Sequence, residues 1–242
     1  MIKVNGMVEY LQRFYERLSK EYAGSLVKVE DVKQMEPNAK EYLNKLTRSG
    51  LVEKVRWGWY WVPDEIRDAW DFFEKDKGFK IVSCQTASSL WNQDFVHRNT
   101  YSLKVSDKSY GKALEEFAER KSWRVQVEYV AKPKNYRKAG GLLVEDVNET
   151  IIGCTQRWAF MDAFATLHSN RKRIRTNELS KRGYWKRIRG TNVRVRQALE
   201  YGCHLINELI GRRIYDVQEP RLDDEYLKRE IEEAVEKVVE LG

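Results

Sequence analysis

Apolar positions in the first fifty residues follow the spacing of helices interrupted by one short strand. Residues 7–22 carry an apolar stripe at helical spacing, formed by Val8, Leu11, Phe14, Tyr15 and Leu18. The pattern then predicts a short strand over residues 25–29, one or two helical turns over 30–35 and another helix over 38–49. Gly50 stands where a left-handed residue would end that helix.

Residues 50–64, GLVEKVRWGWYWVPD, predict a β-hairpin that turns at Trp57 and Gly58. This register pairs Arg56 with Trp59, Val55 with Tyr60, Lys54 with Trp61 and Glu53 with Val62. Because side chains alternate along a strand, the two faces carry Leu51, Val55, Tyr60 and Val62 on one side, and Lys54, Arg56, Trp59 and Trp61 on the other. We expect the first face to pack on the helices and the second to be a basic, aromatic surface that faces a nucleic acid. In the alternative interpretation, the tryptophans pack beneath the following domain.

The order helix, strand, short helix, helix, hairpin is that of a winged helix-turn-helix, with the hairpin as the wing. Patterns of strands and helices then alternate, with strands at 79–83, 100–105, 123–130 and 142–147, and helices at 64–76, 85–92, 110–121, 151–168, 193–210 and 223–241. Residues 151–168 are apolar nearly all round, which predicts one buried central helix. We therefore expect an α+β fold with an N-terminal winged helix-turn-helix (1–64), a mixed α/β domain (65–215) and an acidic C-terminal helix (216–242).

Charge is unevenly placed along a chain whose formal net charge is +7. Residues 171–196 hold eleven basic residues and one acid, whereas residues 215–242 hold ten acids and four bases. The basic block indicates a surface that binds a polyanion; in the alternative interpretation it is a solvated face of the kind common in proteins of thermophiles. The C-terminal helix has an apolar stripe that either packs on its own domain or forms a homodimer, made of Leu227, Ile231, Val235 and Val238.

Several classes of protein are disfavoured by composition. No apolar run reaches the roughly 18 residues of a membrane span, and the N-terminus lacks the apolar region of a signal peptide, so the sequence indicates a cytosolic protein. Three cysteines without a CxxC spacing predict reduced, mostly buried thiols rather than a disulfide framework or a zinc finger. The motifs of nucleotide and metal sites are absent from the sequence, and we expect no cofactor.

The histidines give little support to catalysis. His97 and His168 flank expected helix ends, which favours a surface or capping role. His204 follows Cys203 within an expected helix, where adjacent side chains diverge by about 100° and make a poor catalytic pair. A buried thiol beside a hydrogen-bonded histidine is the expectation there.

Acidic side chains offer one candidate site for a metal-dependent nuclease. Such a site needs clustered carboxylates with a lysine, and only Glu128, Lys132 and Asp107 approach that pattern. Asp146 and Glu149, beside the apolar stretch that follows, are expected to be helix caps or members of a buried ion pair. The sequence therefore favours a protein that is not an enzyme.

The expected function is binding of double-stranded DNA. In a winged helix-turn-helix the second helix of the motif enters the major groove, and the wing contacts the backbone or minor groove. The outward face of residues 38–49 carries types that suit base edges, namely Asn38, Lys40, Glu41, Asn44, Lys45 and Arg48. The hairpin and the basic block add candidates for phosphate contacts, namely Lys54, Arg56, Trp57, Arg171, Lys172, Arg173, Arg175, Lys186 and Arg187. Tyr184 and Trp185 interleave with these cations, so a nuclease or a protein that binds RNA or single strands is the alternative.

Three short motifs make the layout resemble the AbiEi-type antitoxins, winged-helix transcriptional regulators of viral-defence systems. They are the hairpin Gly50-Leu51 through Arg56-Trp57-Gly58-Trp59-Tyr60, the strand and helix VSCQTASSLW at 82–91, and the turn Asn148-Glu149-Thr150 within 145–162. The resemblance spans roughly residues 7–167. It implies negative autoregulation of a toxin–antitoxin operon and a nucleotidyltransferase toxin as partner. A dimer that reads a palindromic site would be the usual way to raise the affinity of a single winged helix.

Overall fold

The computed structural model of the chain describes residues 8–92, 100–171, 193–215, 217 and 222–241. These residues form ten helices and two sheets, which confirms the predicted mixture of α and β structure. No helix in these ranges has the length and apolar character needed to cross a bilayer.

The helices and strands lie close to the predicted positions. The helices are α1 (Glu9–Tyr22), α2 (Val29–Val32), α3 (Ala39–Arg48), α4 (Ala69–Lys75), α5 (Cys84–Trp91), α6 (Lys108–Arg120), α7 (Val147–Gln156), α8 (Phe160–Ser169), α9 (Val193–Ile210) and α10 (Glu225–Leu241). The strands are β1 (Leu26–Lys28), β2 (Glu53–Arg56), β3 (Trp59–Trp61), β4 (Lys80–Val82), β5 (Thr100–Val105), β6 (Arg124–Tyr129), β7 (Tyr136–Ala139) and β8 (Leu142–Glu145). Strand β7 was not predicted from the sequence, and residues 64–68 precede α4 instead of belonging to it.

The chain divides into two compact units. Unit 1 takes its described residues from Met1–Lys80, Lys104–Pro133 and Lys138–Leu142. Unit 2 takes its described residues from Ile81–Leu103, Lys134–Arg137 and Leu143–Gly242.

Unit 1 contains a three-stranded antiparallel sheet in the order β1-β3-β2. Helices α1, α2 and α3 bury their apolar stripes against this sheet and one another, in a core that includes Phe14, Leu43 and Tyr60. Gly50 ends α3 with φ +71°, which confirms its predicted left-handed position.

The predicted hairpin forms, but the predicted pairing of its strands is correct only next to the turn. Arg56 pairs with Trp59 as expected, whereas Lys54 pairs with Tyr60 and Glu53 with Trp61, one residue away from the prediction. The shift lies between Lys54 and Arg56, so Val55 is an extra residue in β2 opposite β3. A β-bulge of this kind bends the strand and cannot be read from alternation alone.

The single buried helix predicted over residues 151–168 is two helices. Helix α7 ends at Gln156, and Trp158 takes φ +61° before α8 begins at Phe160. The amide of Ala159 donates to the carbonyl of Cys154 at 2.9 Å, and that of Trp158 to Thr155 at 3.2 Å. This pair of bonds is a Schellman motif, which usually places glycine at the left-handed position. Because this position holds tryptophan instead of glycine, the end of α7 could not be predicted from the sequence.

The second sheet has five strands in the order β6-β5-β4-β8-β7. Within unit 2, β4 runs parallel to β8, with Val82 opposite Val144. The core of unit 2 joins α7, α8, α9 and α10 and includes Phe164, Ile206 and Ile231. The apolar stripe of α10 is buried in this core, which confirms packing on its own domain and leaves that stripe no role in a dimer.

Candidate nucleic-acid interface

Helix α3 has one buried face and one face in contact with solvent. Its buried residues are Ala39, Leu43 and Leu46, at the helical spacing that the sequence predicted. On the opposite side Asn38, Lys40, Glu41 and Arg48 are exposed, while Asn44 and Lys45 are half-buried. The six candidate residues therefore do not form one uniformly open surface.

Asn44 faces the hairpin as well as solvent. Its amide oxygen accepts a hydrogen bond from the hydroxyl of Tyr60 at 2.9 Å. Tyr60 is only 2% exposed, and burial raises the pKa of its phenol. Asn44 thus fixes the position of α3 relative to β3, a structural role that the sequence analysis did not assign to it.

Lys45 is held by neighbours on two helices. Its Nζ lies 2.7 Å from the carboxylate of Glu41 and donates to the hydroxyl of Tyr10 at 3.1 Å. The same ammonium lies over the rings of Tyr10 and Tyr42, 5.5 and 5.8 Å from their centroids. The hydrogen bonds to Glu41 and Tyr10 raise the pKa of Lys45. Because Glu41 and Lys45 neutralise each other, Lys40 and Arg48 are the cations of α3 that lie most open to a polyanion.

The prediction that Trp59 and Trp61 face a nucleic acid is wrong. Trp59 is 5% exposed, and its indole nitrogen donates to Ser109 Oγ on α6 at 2.7 Å. The ring of Trp61 packs on Phe117 with centroids 5.1 Å apart, and Lys121 Nζ lies 4.3 Å from its centroid. Helix α6 therefore covers this face of the hairpin, and the alternative interpretation of packed tryptophans is the correct one.

Arginine side chains fasten the bulged strand to α6. Arg120 donates to the backbone carbonyl of Lys54 at 2.8 Å, to that of Val55, and to the carboxylate of Glu53 at 2.9 Å. Arg56 lies 3.5 Å from the carboxylate of Glu116. These bonds give the carbonyls at the bulge a partner and direct Arg56 toward α6, so the hairpin is anchored along most of its length.

The tip of the hairpin is its exposed part. Trp57 is 82% exposed, and Gly58 beside it takes φ +79°, the left-handed conformation that the tight turn requires. Lys54 is exposed on the adjoining strand. The anchored hairpin therefore presents an aromatic ring and a cation to solvent at a defined position.

The basic block lies almost wholly outside the described residues. Lys172, Arg173, Arg175, Lys186 and Arg187 are not among the residues that the structure describes. The remaining candidate, Arg171, is half-buried and contacts His168 Nε2 through its guanidinium at 2.5 Å. His97, expected near a helix end, also lies outside the described ranges.

His168 lies near the end of α8 as predicted, but the surface position that was one of its two expected roles is wrong. It is 6% exposed, and burial together with the positive charge of Arg171 lowers the pKa of its imidazole. The error arose because the last turn of α8 faces the unit 2 core, where Leu167 is also buried. Cys203 is buried in that core as predicted, and its neighbour His204 lies 3.3 Å from Glu208 on the same helix.

The acidic residues considered for catalysis have structural roles or lie open to solvent. Asp107 caps α6 by accepting from the amides of Ser109 and Tyr110, and Glu128 and Lys132 are exposed. Asp146 caps α7 through the amide of Glu149 at 2.8 Å, which confirms the capping prediction. Over the ranges that the structure covers, no group of three His, Cys, Asp or Glu side chains is placed to hold a metal ion.

Comparisons with known proteins add no family to this geometry. No protein-family model matches the chain, and neither a curated protein nor a solved structure matches it. The resemblance to AbiEi-type antitoxins therefore remains a hypothesis that rests on the three short motifs.

Four residues that contact α3 or the hairpin could not be identified from sequence spacing. Tyr10 on α1 contacts α3, and Ser109, Glu116 and Arg120 on α6 contact the hairpin, in each case from a distant part of the chain. An aromatic side chain on α1 and a serine on α6 carry no local signal of a partner. Only the tertiary fold brings them to α3 and the hairpin.

Proposed function

We propose that residues 8–62 are a winged helix-turn-helix and that the protein is a DNA-binding transcriptional regulator. The observation that carries the proposal is the order α1-β1-α2-α3-β2-β3 combined with the antiparallel sheet β1-β3-β2. In winged helices this arrangement leaves the second helix of the turn motif and the hairpin tip on the DNA-binding side.

Helix α3 is the recognition helix in this proposal. Arg48 and Lys40 are exposed on it and suit guanine edges or phosphates, and Asn38 is exposed at its start. Glu41 and Lys45 form an ion pair 2.7 Å long, which must open or adapt before either side chain reads a base. Recognition therefore depends first on Arg48 and Lys40.

The hairpin acts as the wing through its tip. Trp57 is exposed at the tip and Lys54 on the adjoining strand β2, while Trp59, Trp61 and Arg56 face α6. An anchored wing loses little conformational freedom when DNA binds, so its contacts come at a small entropic cost. We assign phosphate contact to Lys54 and a groove or backbone contact to Trp57.

The regulated operon is proposed to be the protein's own. The motif resemblance to AbiEi-type antitoxins supports an autoregulating repressor with a toxin protein as partner. Because one winged helix gives modest affinity, a homodimer on a palindromic site fits this proposal. The stripe of α10 is not its interface, since those side chains lie in the unit 2 core.

A competition binding experiment tests the proposal. The labelled duplex is the DNA upstream of the gene, and the competitors are a scrambled duplex of equal length, a duplex pool of random sequence and single-stranded RNA, each at two salt concentrations. We expect the upstream duplex to resist competition at both. Selection of another site from the random pool would keep the regulator and remove autoregulation. Equal competition by every nucleic acid, including RNA, would contradict sequence-specific DNA binding.

A further inference from the structure

Cys84 occupies an unusual backbone position at the junction of β4 and α5. It is the first residue of α5, is 1% exposed, and takes φ +48°. A residue with a side chain seldom adopts this left-handed conformation, which persists only where the surroundings enforce it. The turn from a buried strand into a helix therefore holds this thiol in a fixed place.

The carboxylate of Glu145 enforces that position. The amide of Cys84 donates to Glu145 Oε2 at 2.8 Å, and Glu145 is 2% exposed at the end of β8. Strands β4 and β8 are parallel neighbours with Val82 opposite Val144, so both residues leave the sheet at the same edge. The same carboxylate would lie 3.7 Å from a Cβ atom built on Gly153, so α7 passes close beside it.

A second cysteine lies against the first. Cys154 on α7 is 0% exposed and packs with Cys84 and Ala163 in one small cluster of unit 2. Hydrogen bonding from the neighbouring Cys154 thiol lowers the pKa of Cys84, although burial opposes this shift. Burial raises the pKa of Cys154. The pair is thus asymmetric, with the more readily ionised sulfur at the helix N-terminus, where thiolates are favoured.

We propose that Cys84 and Cys154 form an oxidation site that closes to an intramolecular disulfide when the protein meets a small hydroperoxide. The Cys84 thiolate attacks the terminal oxygen of the hydroperoxide; a sulfur–oxygen bond forms, the oxygen–oxygen bond breaks, and the alkoxide takes up a proton and leaves as alcohol (water from hydrogen peroxide). Cys154, giving up its proton, attacks the sulfenic sulfur of Cys84; the disulfide forms and water leaves. In sum two thiols lose two hydrogens, and the hydroperoxide is reduced to an alcohol and water.

In this proposal the oxidant reaches the site through the end of α7. Cys154 lies in the last turn of α7, and Arg157 and Trp158 directly after it are exposed. The Schellman bond from Ala159 to the carbonyl of Cys154 closes this end of the helix. Because helix ends open more readily than their centres, the proposal requires only that this turn opens, not that the core unfolds.

Mass spectrometry of the full-length protein tests the inference. The reduced protein is treated with hydrogen peroxide under native conditions, quenched, and alkylated in denaturant. Cys203 is the built-in control, because it is equally buried but lies in the separate core of α7 to α10. We expect the intact mass to fall by two hydrogens, one alkylatable thiol to remain at Cys203, and a peptide that joins Cys84 to Cys154. Dithiothreitol should restore all three thiols.

Variants distinguish a specific disulfide between Cys84 and Cys154 from unselective oxidation of the thiols. Cys203→Ser should form the same disulfide, and Cys154→Ser should accumulate a sulfenic acid at Cys84 that dimedone traps. If Cys154→Ser fails to fold, the disulfide-linked peptide identified in the wild-type protein is sufficient to test the proposal. Three free thiols after peroxide, oxidation of Cys203 as fast as Cys84, or a linkage other than 84–154 would each overturn the proposal.

Discussion

The hydroxyl of Tyr60 donates a hydrogen bond to the amide oxygen of Asn44 at 2.9 Å, which links the hairpin to the outward side of α3. A residue that sequence types assign to DNA is thereby also part of the fold. Loss of DNA binding in an Asn44 variant would not by itself identify a base contact. Arg48 and Lys40, which are exposed, are better probes of recognition.

We predict that Asn44→Ala and Tyr60→Phe each lower the free energy of unfolding by about 1 kcal/mol, and that the double variant loses little more than either single one. The reason is that both changes remove the same hydrogen bond. Urea unfolding followed by circular dichroism measures it. Fully additive losses would show that the bond contributes nothing of its own.

The contact between Trp59 and α6 gives a second prediction about stability. Trp59→Phe removes the donor to Ser109 and part of a buried ring, so we expect a loss of about 1–3 kcal/mol. Trp57→Phe is the matched control, because Trp57 is 82% exposed and its substitution should change stability by less than about 0.5 kcal/mol. Equal effects at the two positions would contradict the anchoring of the hairpin by α6.

A buried ion pair secures the segment between α4 and β4. Lys80 Nζ lies 2.8 Å from Asp76 Oδ2, the two side chains are 5% and 0% exposed, and Asp76 Oδ1 accepts from the amide of Leu26 at 2.8 Å. Lys80→Met leaves the carboxylate buried without its cation, and we expect a loss of about 3–5 kcal/mol. Lys112→Met, at an exposed position of α6, is the control. Thermal unfolding measures both variants. Similar melting temperatures for Lys80→Met and Lys112→Met would contradict a stabilising ion pair between Lys80 and Asp76.

Ionisation of Tyr110 makes the free energy of unfolding depend on pH in the alkaline range. It is 3% exposed, its hydroxyl donates to Asp76, and burial raises the pKa of its phenol well above the ordinary 10.0. The unfolded chain releases this proton near the ordinary pKa while the folded protein keeps it. The stabilisation is therefore complete below about pH 10 and is lost as the pH rises further, by about 1.4 kcal/mol per pH unit.

Tyr110→Phe isolates this contribution. At pH 7 the variant should be less stable, because Asp76 loses a donor. Between pH 10 and pH 12, its free energy of unfolding should fall less steeply than that of the wild type. Parallel curves over that interval would show that Tyr110 is not protected from ionisation. Urea unfolding at a series of pH values provides the comparison.

Local patterns were sufficient to predict most elements of the fold. Apolar spacing located α1, α3, α6 and α9 to within a few residues, because each helix buries a stripe whose period shows in the sequence. The strands of the hairpin were located as well. The failures came where local rules were broken, by the extra residue Val55 in β2 and by left-handed Trp158 at the end of α7.

The candidate site was less predictable than the fold. The sequence could place Arg48 on the outer face of α3, because that follows from helical spacing alone. It could not place Trp59 and Trp61 beneath α6, since the burial of a strand face depends on a helix that follows some fifty residues later. For the same reason, the contact between Cys84 and Cys154, far apart in the chain, had no signal in their spacing.

The most direct test of the central claim compares two charge-matched double variants in titrations of the upstream and scrambled duplexes. Lys40→Ala/Arg48→Ala removes two cations from α3, and Lys112→Ala/Lys237→Ala removes two exposed cations from α6 and α10. We predict that the α3 variant loses at least about tenfold in its preference for the upstream duplex, because a good base contact contributes about 1–3 kcal/mol of discrimination. The control variant should keep its preference. Equal preference in both variants would contradict α3 as the recognition helix.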